Sequence, residues 1–155
     1  MAVSKESMRK SSNAARAKRV QYAALPYRLS GRSRTEVMLV TSRETRRWII
    51  PKGWPHSGRT PYDSAAREAF EEAGVVGKVG RRSVGSFPYE KRLRGGGVTV
   101  CEVHVFPLKV TRQSKQWPEK EHRDVKWLSA KEAAETVQEP MLSEIIRRLT
   151  HKPVG

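Results

Sequence analysis

The sequence is nearly devoid of cysteine, since Cys101 is the only one among 155 residues. A single cysteine excludes an internal disulfide and any metal centre built from several thiolates, and it favours a reduced, cytoplasmic compartment. No stretch approaches the roughly 18 consecutive apolar residues of a membrane-spanning helix, and the N-terminus lacks the apolar core of a secretory signal. We therefore expect a cytoplasmic protein that is not inserted in a membrane.

Acidic residues are also scarce, with 16 Asp and Glu against 31 Lys and Arg, for a formal net charge of +15. Six basic residues and one acidic residue lie in residues 1–19, and the same ratio recurs in residues 76–100. This excess favours a polyanionic partner such as a nucleotide, a polyphosphate, nucleic acid or an anionic surface. The alternative is a basic protein without such a partner.

The length and the hydrophobic content of 37% fit a single globular domain, which we place at residues 20–155. Residues 1–19 are rich in serine, alanine and basic residues, and they predict a basic disordered tail. An organelle presequence is the alternative for this segment, but nothing in it resembles a defined cleavage site.

Start and stop signals predict a helix between Thr60 and Gly74. Thr60 can cap the first turn, Pro61 suits the first helical position, and Gly74 can end the helix in a left-handed conformation. At about 100° per residue, the side chains divide into an apolar arc and an acidic arc. The apolar arc holds Ala65, Ala66, Ala69, Phe70 and Ala73, and the acidic arc holds Glu68, Glu71 and Glu72.

The acidic arc predicts either a solvated helix face or a binding site for a cation. Like charges at these spacings repel each other by a few tenths of a kcal/mol per pair, and no Lys or Arg follows Glu71 or Glu72 at the spacing that would relieve the repulsion. A divalent cation would relieve it. Carboxylates on a rigid helix suit Mg²⁺ or Mn²⁺, which bind oxygen ligands together with water and substrate phosphate.

Residues 53–75, GWPHSGRTPYDSAAREAFEEAGV, resemble the Nudix box, G-x5-E-x7-R-E-U-x-E-E-x-G-U, in which U is a bulky aliphatic residue. Gly53 matches the first glycine, and the Arg-Glu, Glu-Glu and Gly-U pairs follow at the required spacing. Two positions differ from the pattern. Ala69 is smaller than the usual aliphatic residue, and Arg59 replaces the first glutamate and reverses its charge.

The resemblance implies an α/β fold, the Nudix α/β/α sandwich, with a mixed central sheet and the box helix packed against it. It also implies that Mg²⁺ or Mn²⁺ binds to Glu68, Glu71 and Glu72 and to the backbone carbonyl of Lys52. Glu71 and Glu72 would then be catalytic, with Glu71 either a ligand or a base. Arg67 can hold the Glu71 side chain in place from one helical turn away.

Apolar runs on both sides of the box predict strands. Residues 20–30 predict a strand interrupted by Pro26, and a turn at Gly31 leads to residues 37–40, which completes a hairpin. Residues 48–50 predict a short strand that leads into the box. The remaining predicted elements are strands at residues 98–110 and 125–128 and helices at residues 129–137 and 139–149.

A basic segment precedes three consecutive glycines at residues 95–97. The glycines do not form a P-loop, because the required Lys-Ser/Thr and the following helix are missing. If this segment lies beside the carboxylate helix, its cations can meet the phosphates of a substrate. We therefore expect Lys91, Arg92 and Arg94, together with Arg59, to bind substrate, although a solvated hairpin tip is the alternative.

In the family that the box resembles, an extra glutamate from a later loop often assists the metal ions or acts as a base. Glu119 and Glu121 are the two candidates, and either can instead be a solvated loop residue. The four histidines show no metal-ligand spacing, so we expect surface or packing roles for His56, His104, His122 and His151.

Residues 47–55, RWIIPKGWP, the basic segment and Trp127 are similar to the diphosphoinositol polyphosphate phosphohydrolase type of Nudix protein, which also cleaves dinucleoside polyphosphates. The resemblance implies metal-assisted hydrolysis of a phosphoanhydride in a phosphate-rich small molecule. Candidate substrates are nucleoside and dinucleoside polyphosphates, diphosphoinositol polyphosphates and linear polyphosphate. The alternatives are an RNA 5′-pyrophosphohydrolase and a non-catalytic Nudix domain that binds a polyanion and regulates.

Overall fold

The structure is a computed structural model that describes residues 19–31 and 34–149. The predicted disordered tail therefore lies outside the described residues, except for Arg19. Within the described ranges, eight strands form one sheet and three helices pack against it. The strands are β1 Val20–Ser30, β2 Arg34–Thr41, β3 Trp48–Ile49, β4 Lys52–Gly53, β5 Val75–Val79, β6 Gly85–Arg92, β7 Val98–Gln113 and β8 Val125–Ser129. The helices are α1 Pro61–Ala73, α2 Ala130–Thr136 and α3 Pro140–Leu149.

The sheet is mixed and has β1 at its centre. Strand β1 runs parallel to β7 and antiparallel to β2 and β4, and the sheet order is β3-β2-β1-β7-β5. The pairing of Tyr27 with Val37 confirms the predicted β1–β2 hairpin. Strands β6 and β7 form a second hairpin across the glycine turn at residues 95–97. The mixed sheet with packed helices confirms the predicted α/β fold.

The prediction that Pro26 interrupts its strand is wrong, because β1 runs without a break from Val20 to Ser30. On one side, Pro26 pairs with Leu108 of the parallel strand β7. On the other side, it lies between the residues that pair with β4 and those that pair with β2. A proline lacks a backbone N–H, and at this position no neighbouring strand requires one.

Helix α1 begins and ends as its capping signals predict. The Thr60 hydroxyl accepts a hydrogen bond from the Asp63 backbone N–H at 3.2 Å. Gly74 adopts a left-handed φ of 72°, and its N–H donates to the carbonyl of Phe70 at 2.9 Å. The cap at each end provides partners for backbone groups that have none within the helix. The box helix is therefore specified locally.

The buried face of α1 differs from the predicted apolar arc. Ala66 and Phe70 are only half-buried, whereas Glu72 is 5% exposed. The helix packs against β1, β4 and β5, and this packing turns the side of the helix that carries Glu72 towards the interior. The prediction of three carboxylates on one exposed face is therefore wrong for Glu72. The residues that the helix buries are Ser64, Ala65, Ala69, Glu72 and Ala73.

The two C-terminal helices pack against each other and against β2, β6 and β8. Ser129 caps α2, since its hydroxyl accepts from the Glu132 backbone N–H at 3.1 Å. Leu142 and Ile146 of α3 are fully buried and complete the core on this side. None of the helices in the described ranges is long and apolar enough to cross a membrane.

Candidate active site

The first box glycine provides space for a carboxylate of α1. A Cβ atom built on Gly53 would lie 2.3–2.7 Å from the carboxyl atoms of Glu68, which is closer than real Cβ contacts allow. Strand β4 holds Gly53 in place by pairing it with Tyr22 of the central strand. The carboxylate of Glu68 therefore packs directly on the backbone, and the glycine is required by this contact.

His56 lies beside the same carboxylate. Its Nε2 donates a hydrogen bond to Oε2 of Glu68 at 2.7 Å, and its backbone N–H donates to the Ser64 hydroxyl at 3.1 Å. The ligand atoms of His56, Glu68 and Glu71 lie within 4.8 Å of one another, so this group could hold a metal ion. A surface or packing role is predicted for His56, and that prediction misses its contact with Glu68. The loop that carries His56 folds back onto the helix, and the spacing of residues along the chain does not indicate this.

Burial raises the pKa of Glu68, and the hydrogen bond from His56 opposes that shift. The neighbouring carboxylate, Glu71, raises the pKa further by like-charge repulsion. Arg67 holds Glu71 from one turn earlier, with its Nε 2.9 Å from Oε1, as the spacing predicts. This pair is partly exposed, so it contributes more to the position of Glu71 than to stability.

Glu72 is buried beside two cations, Arg123 and Lys52, and the charge of Glu68 also acts on it. Oε2 of Glu72 is 3.4 Å from Nη2 of Arg123. Burial raises the pKa of Glu72 to about 8, although the charges of Arg123 and Lys52 oppose the shift. Burial also lowers the pKa of the Lys52 amine to about 8. Glu68 and Glu71 therefore lie with a histidine, whereas Glu72 has basic neighbours but stays within electrostatic range of Glu68.

Of the two loop glutamates, the structure brings Glu119 to the site. Oε1 of Glu119 accepts from Nε of Arg123 at 3.0 Å, and its backbone N–H donates to the Glu71 carbonyl at 2.9 Å. The ring of Trp117 covers Gly74, where a Cβ would be 2.3 Å from it, and this contact docks the loop on the end of α1. Glu121 is exposed and takes part in none of these contacts.

A cleft of about 1170 Å³ opens beside Glu72 and Lys52. Its lining includes the three predicted cations of the basic segment, Lys91, Arg92 and Arg94. The structure therefore brings these cations to the same cleft as one box carboxylate. Arg59 is exposed on the loop before α1 and is not among the described residues that line the cleft, so its role in substrate binding stays a prediction.

Three further side chains line the cleft, and the sequence pattern predicts a role for none of them. Tyr89 lies between two cations, with Nζ of Lys52 3.7 Å and Cζ of Arg47 5.7 Å from its ring centroid. Arg47 also forms an ion pair of 3.0 Å with Glu139. Arg123 is the third, and its side chain is 12% exposed. These three residues are far apart in the sequence, so the sequence does not indicate that they line one cleft. The two arginines are also not distinguished by charge from the many other basic residues.

A family model described as the NUDIX domain matches residues 18–151 of this chain. The chain belongs to the Nudix family. Among curated Nudix proteins, the chain is 31% identical over 131 residues to Nudix hydrolase 21, chloroplastic, of Arabidopsis thaliana. This match covers 83% of this chain and 64% of that protein. The chain is 34% identical over 119 residues to diphosphoinositol polyphosphate phosphohydrolase 2 of Rattus norvegicus, covering 74% of this chain and 62% of that protein. The chain thus spans less than two thirds of the length of these Nudix relatives.

Solved Nudix structures confirm the fold. The crystal structure of the C. elegans Ap4A hydrolase matches with a TM-score of 0.59 and 16% sequence identity. The match covers 84% of this chain and 95% of that one. At this identity the likeness shows the shared Nudix architecture alone.

Proposed function

We propose that this Nudix domain is a pyrophosphohydrolase that cleaves phosphoanhydride bonds in nucleoside or dinucleoside polyphosphates, diphosphoinositol polyphosphates or related polyphosphates. The observation that carries the proposal is the cleft in which Lys91, Arg92 and Arg94 lie with the box carboxylate Glu72. A chain of several negatively charged phosphates would complement these cations. The named activities of the relatives support the same class of substrate.

The donor set fits a hard divalent cation. Glu68 and Glu71 offer carboxylate oxygens within one small group, in which His56 holds Glu68 by a hydrogen bond. We propose that Glu68, Glu71 and Glu72, with the backbone carbonyl of Lys52, hold Mg²⁺ or Mn²⁺. When bound, such an ion neutralises charge on phosphate oxygens and makes a bound water more acidic.

The residues of the chain supply positioning and proton transfer. Arg67 fixes the Glu71 carboxylate, which we assign as a metal ligand or as the base that takes a proton from water. Glu119 is the other candidate base, since Arg123 and the backbone of α1 hold it at the site. Lys91, Arg92 and Arg94 bind the phosphates beyond the scissile bond.

The test compares long and short phosphate chains on two variants of equal charge. The first replaces Lys91, Arg92 and Arg94 with alanine, and the matched control replaces Lys78, Arg81 and Arg82, which are exposed and outside the described lining of the cleft. For a five- or six-phosphate substrate, the first variant should lose about 1–3 kcal/mol of transition-state stabilisation, measured as kcat/KM, and most of its salt dependence. A nucleoside diphosphate, which is too short to reach these cations, should scarcely change.

An equal loss for both substrates would mean that the basic segment supports the site generally and reads no chain length. A matching loss in the control variant would assign the effect to net charge. The substrate panel should include RNA with a 5′-triphosphate and a diphosphoinositol polyphosphate, because turnover on these would select between the members of the class. The predicted cytoplasmic location stays a prediction.

A further inference from the structure

A partly buried guanidinium occupies the space between two carboxylates of the candidate active site. Nη2 of Arg123 lies 3.0 Å from Oε1 of Glu119 and 3.4 Å from Oε2 of Glu72. Nη1 of the same side chain donates to the Thr41 carbonyl at 3.0 Å, which anchors it to the end of β2. One nitrogen atom therefore contacts a box carboxylate and a loop carboxylate at once.

This arrangement conflicts with simultaneous metal binding by the same two oxygens. Mg²⁺ binds carboxylate oxygens at about 2.0–2.1 Å and requires near-octahedral space around it. A guanidinium nitrogen in contact with both oxygens fills that space and places a positive charge beside any incoming cation. Oε2 of Glu72 and Oε1 of Glu119 can bind one metal ion together only after Arg123 has moved.

The other cations near these carboxylates do not make the same bridge. Nη1 of Arg43 is 3.8 Å from Oε1 of Glu119, and the Arg43 side chain is more than half exposed. The Lys52 amine acts on Glu72 as a neighbouring charge and lies over the ring of Tyr89. Among the described ion pairs, only Arg123 joins Glu72 to Glu119.

We infer that Arg123 is the resident cation of the Glu72–Glu119 pair, and that a divalent metal ion reaches these two carboxylates by exchange with its guanidinium. The inference rests on the proposed role of Glu72 as a metal ligand. Arg123 is then a positioning residue that holds both carboxylates together without metal. It also competes with the metal ion for the two carboxylates, so a higher metal concentration is needed to occupy the site.

The experiment measures Mn²⁺ binding to the full chain, stripped of metal with a chelator and without substrate, by electron paramagnetic resonance titration. Replacing the resident cation by a neutral side chain, Arg123→Gln, should tighten Mn²⁺ binding about ten-fold or more, because a repelling charge is removed from a partly desolvated site. The matched control is Arg46→Gln. It removes the same charge from a neighbouring exposed pair with Asp124 and should leave the Mn²⁺ affinity close to that of the wild type.

A structural role alone predicts the opposite direction, since loss of a bridge that orders two ligands would weaken Mn²⁺ binding. Unchanged or weaker binding by Arg123→Gln, relative to Arg46→Gln, would overturn the exchange. If thermal melts show that Arg123→Gln is unfolded, Arg123→Met serves in its place, because it also removes the repelling charge and keeps an unbranched side chain. Tighter binding is expected for this variant too, and wild-type affinity would again overturn the exchange. Absence of Mn²⁺ binding in the wild type itself would instead contradict the proposed metal site.

Discussion

The imidazole of His56 donates a hydrogen bond of 2.7 Å to the carboxylate of Glu68. This contact joins the loop before α1 to the middle of the helix, and it involves the one carboxylate that packs on the backbone of Gly53. Burial raises the pKa of Glu68, whereas the hydrogen bond from His56 lowers it. The histidine therefore helps to keep this candidate metal ligand ionised.

Replacement of this histidine should shift the pH dependence of activity. In His56→Ala, the pKa of Glu68 should rise further because the opposing hydrogen bond is gone. The carboxylate would then be ionised only at higher pH, so the acidic limb of the kcat/KM profile should move towards higher pH. His122→Ala is the control, since that side chain is exposed. Superimposable profiles for His56→Ala and the wild type would show that the hydrogen bond does not govern Glu68.

A methyl group at the first box glycine should displace Glu68, a proposed metal ligand. In Gly53→Ala, the new Cβ would meet the Glu68 carboxyl group at 2.3–2.7 Å, and the flexible side chain is the part that can move. A shift of about 1 Å in a catalytic group can lower turnover by about a hundred-fold. We expect a folded protein with a large loss of kcat.

The control for this substitution is Gly80→Ala, whose Cβ would meet the side chain of Pro107 at 2.8 Å. It introduces similar crowding at the sheet rather than beside a box carboxylate. Thermal melts of both variants and their kcat values separate the two effects. Equal losses of kcat would indicate that crowding in general, and not the position of Glu68, lowers turnover.

The local signals of the sequence were sufficient for the box and for the caps of its helix. Thr60 and Gly74 act through backbone groups a few residues away, so a short stretch of sequence specifies them. The orientation of Glu72 depends instead on how α1 lies against the sheet. Helical periodicity separated the apolar side chains from the acidic ones, but it did not show that one carboxylate would be buried.

Contacts between distant segments account for the rest of the site. Arg123 follows the box by many residues, and its position depends on the anchor at Thr41 and on the loop that Trp117 docks against Gly74. The sequence shows an arginine in a polar loop and contains no sign of these partners. The same reason explains why Glu119 and Glu121 could not be distinguished before the fold was known.

The buried carboxylate should make the metal-free protein less stable as the pH rises. The folded-state pKa of Glu72 is about 8 and its ordinary value is 4.5, so the folded state holds the proton more tightly than the unfolded chain. The stabilisation from this proton is complete below about pH 4.5 and is lost as the pH rises through about 8. Lys52 acts above this range, where its lowered pKa favours folding as the pH rises from about 8 towards 10.5.

Unfolding in urea with a chelator present, at several values between pH 5 and 8, tests this dependence. The wild type should lose stability on the order of 2–4 kcal/mol across the range, and Glu72→Gln should lose much less. Glu135→Gln, an exposed position on α2, should follow the wild type. A flat wild-type profile would show that Arg123 and Lys52 keep Glu72 ionised throughout.

The proposed metal-dependent activity is tested by Mg²⁺-dependent hydrolysis of a dinucleoside polyphosphate by the wild type and by Glu68→Gln and Glu71→Gln, with products identified by phosphorus NMR. We expect turnover that saturates with Mg²⁺, stops with a chelator and falls by a factor on the order of 100 or more in each variant, because each loses a proposed charged ligand. Thermal melts should show that both variants remain folded. Turnover that is independent of Mg²⁺, or that stays near the wild-type rate in both variants, would contradict metal-dependent hydrolysis through Glu68 and Glu71.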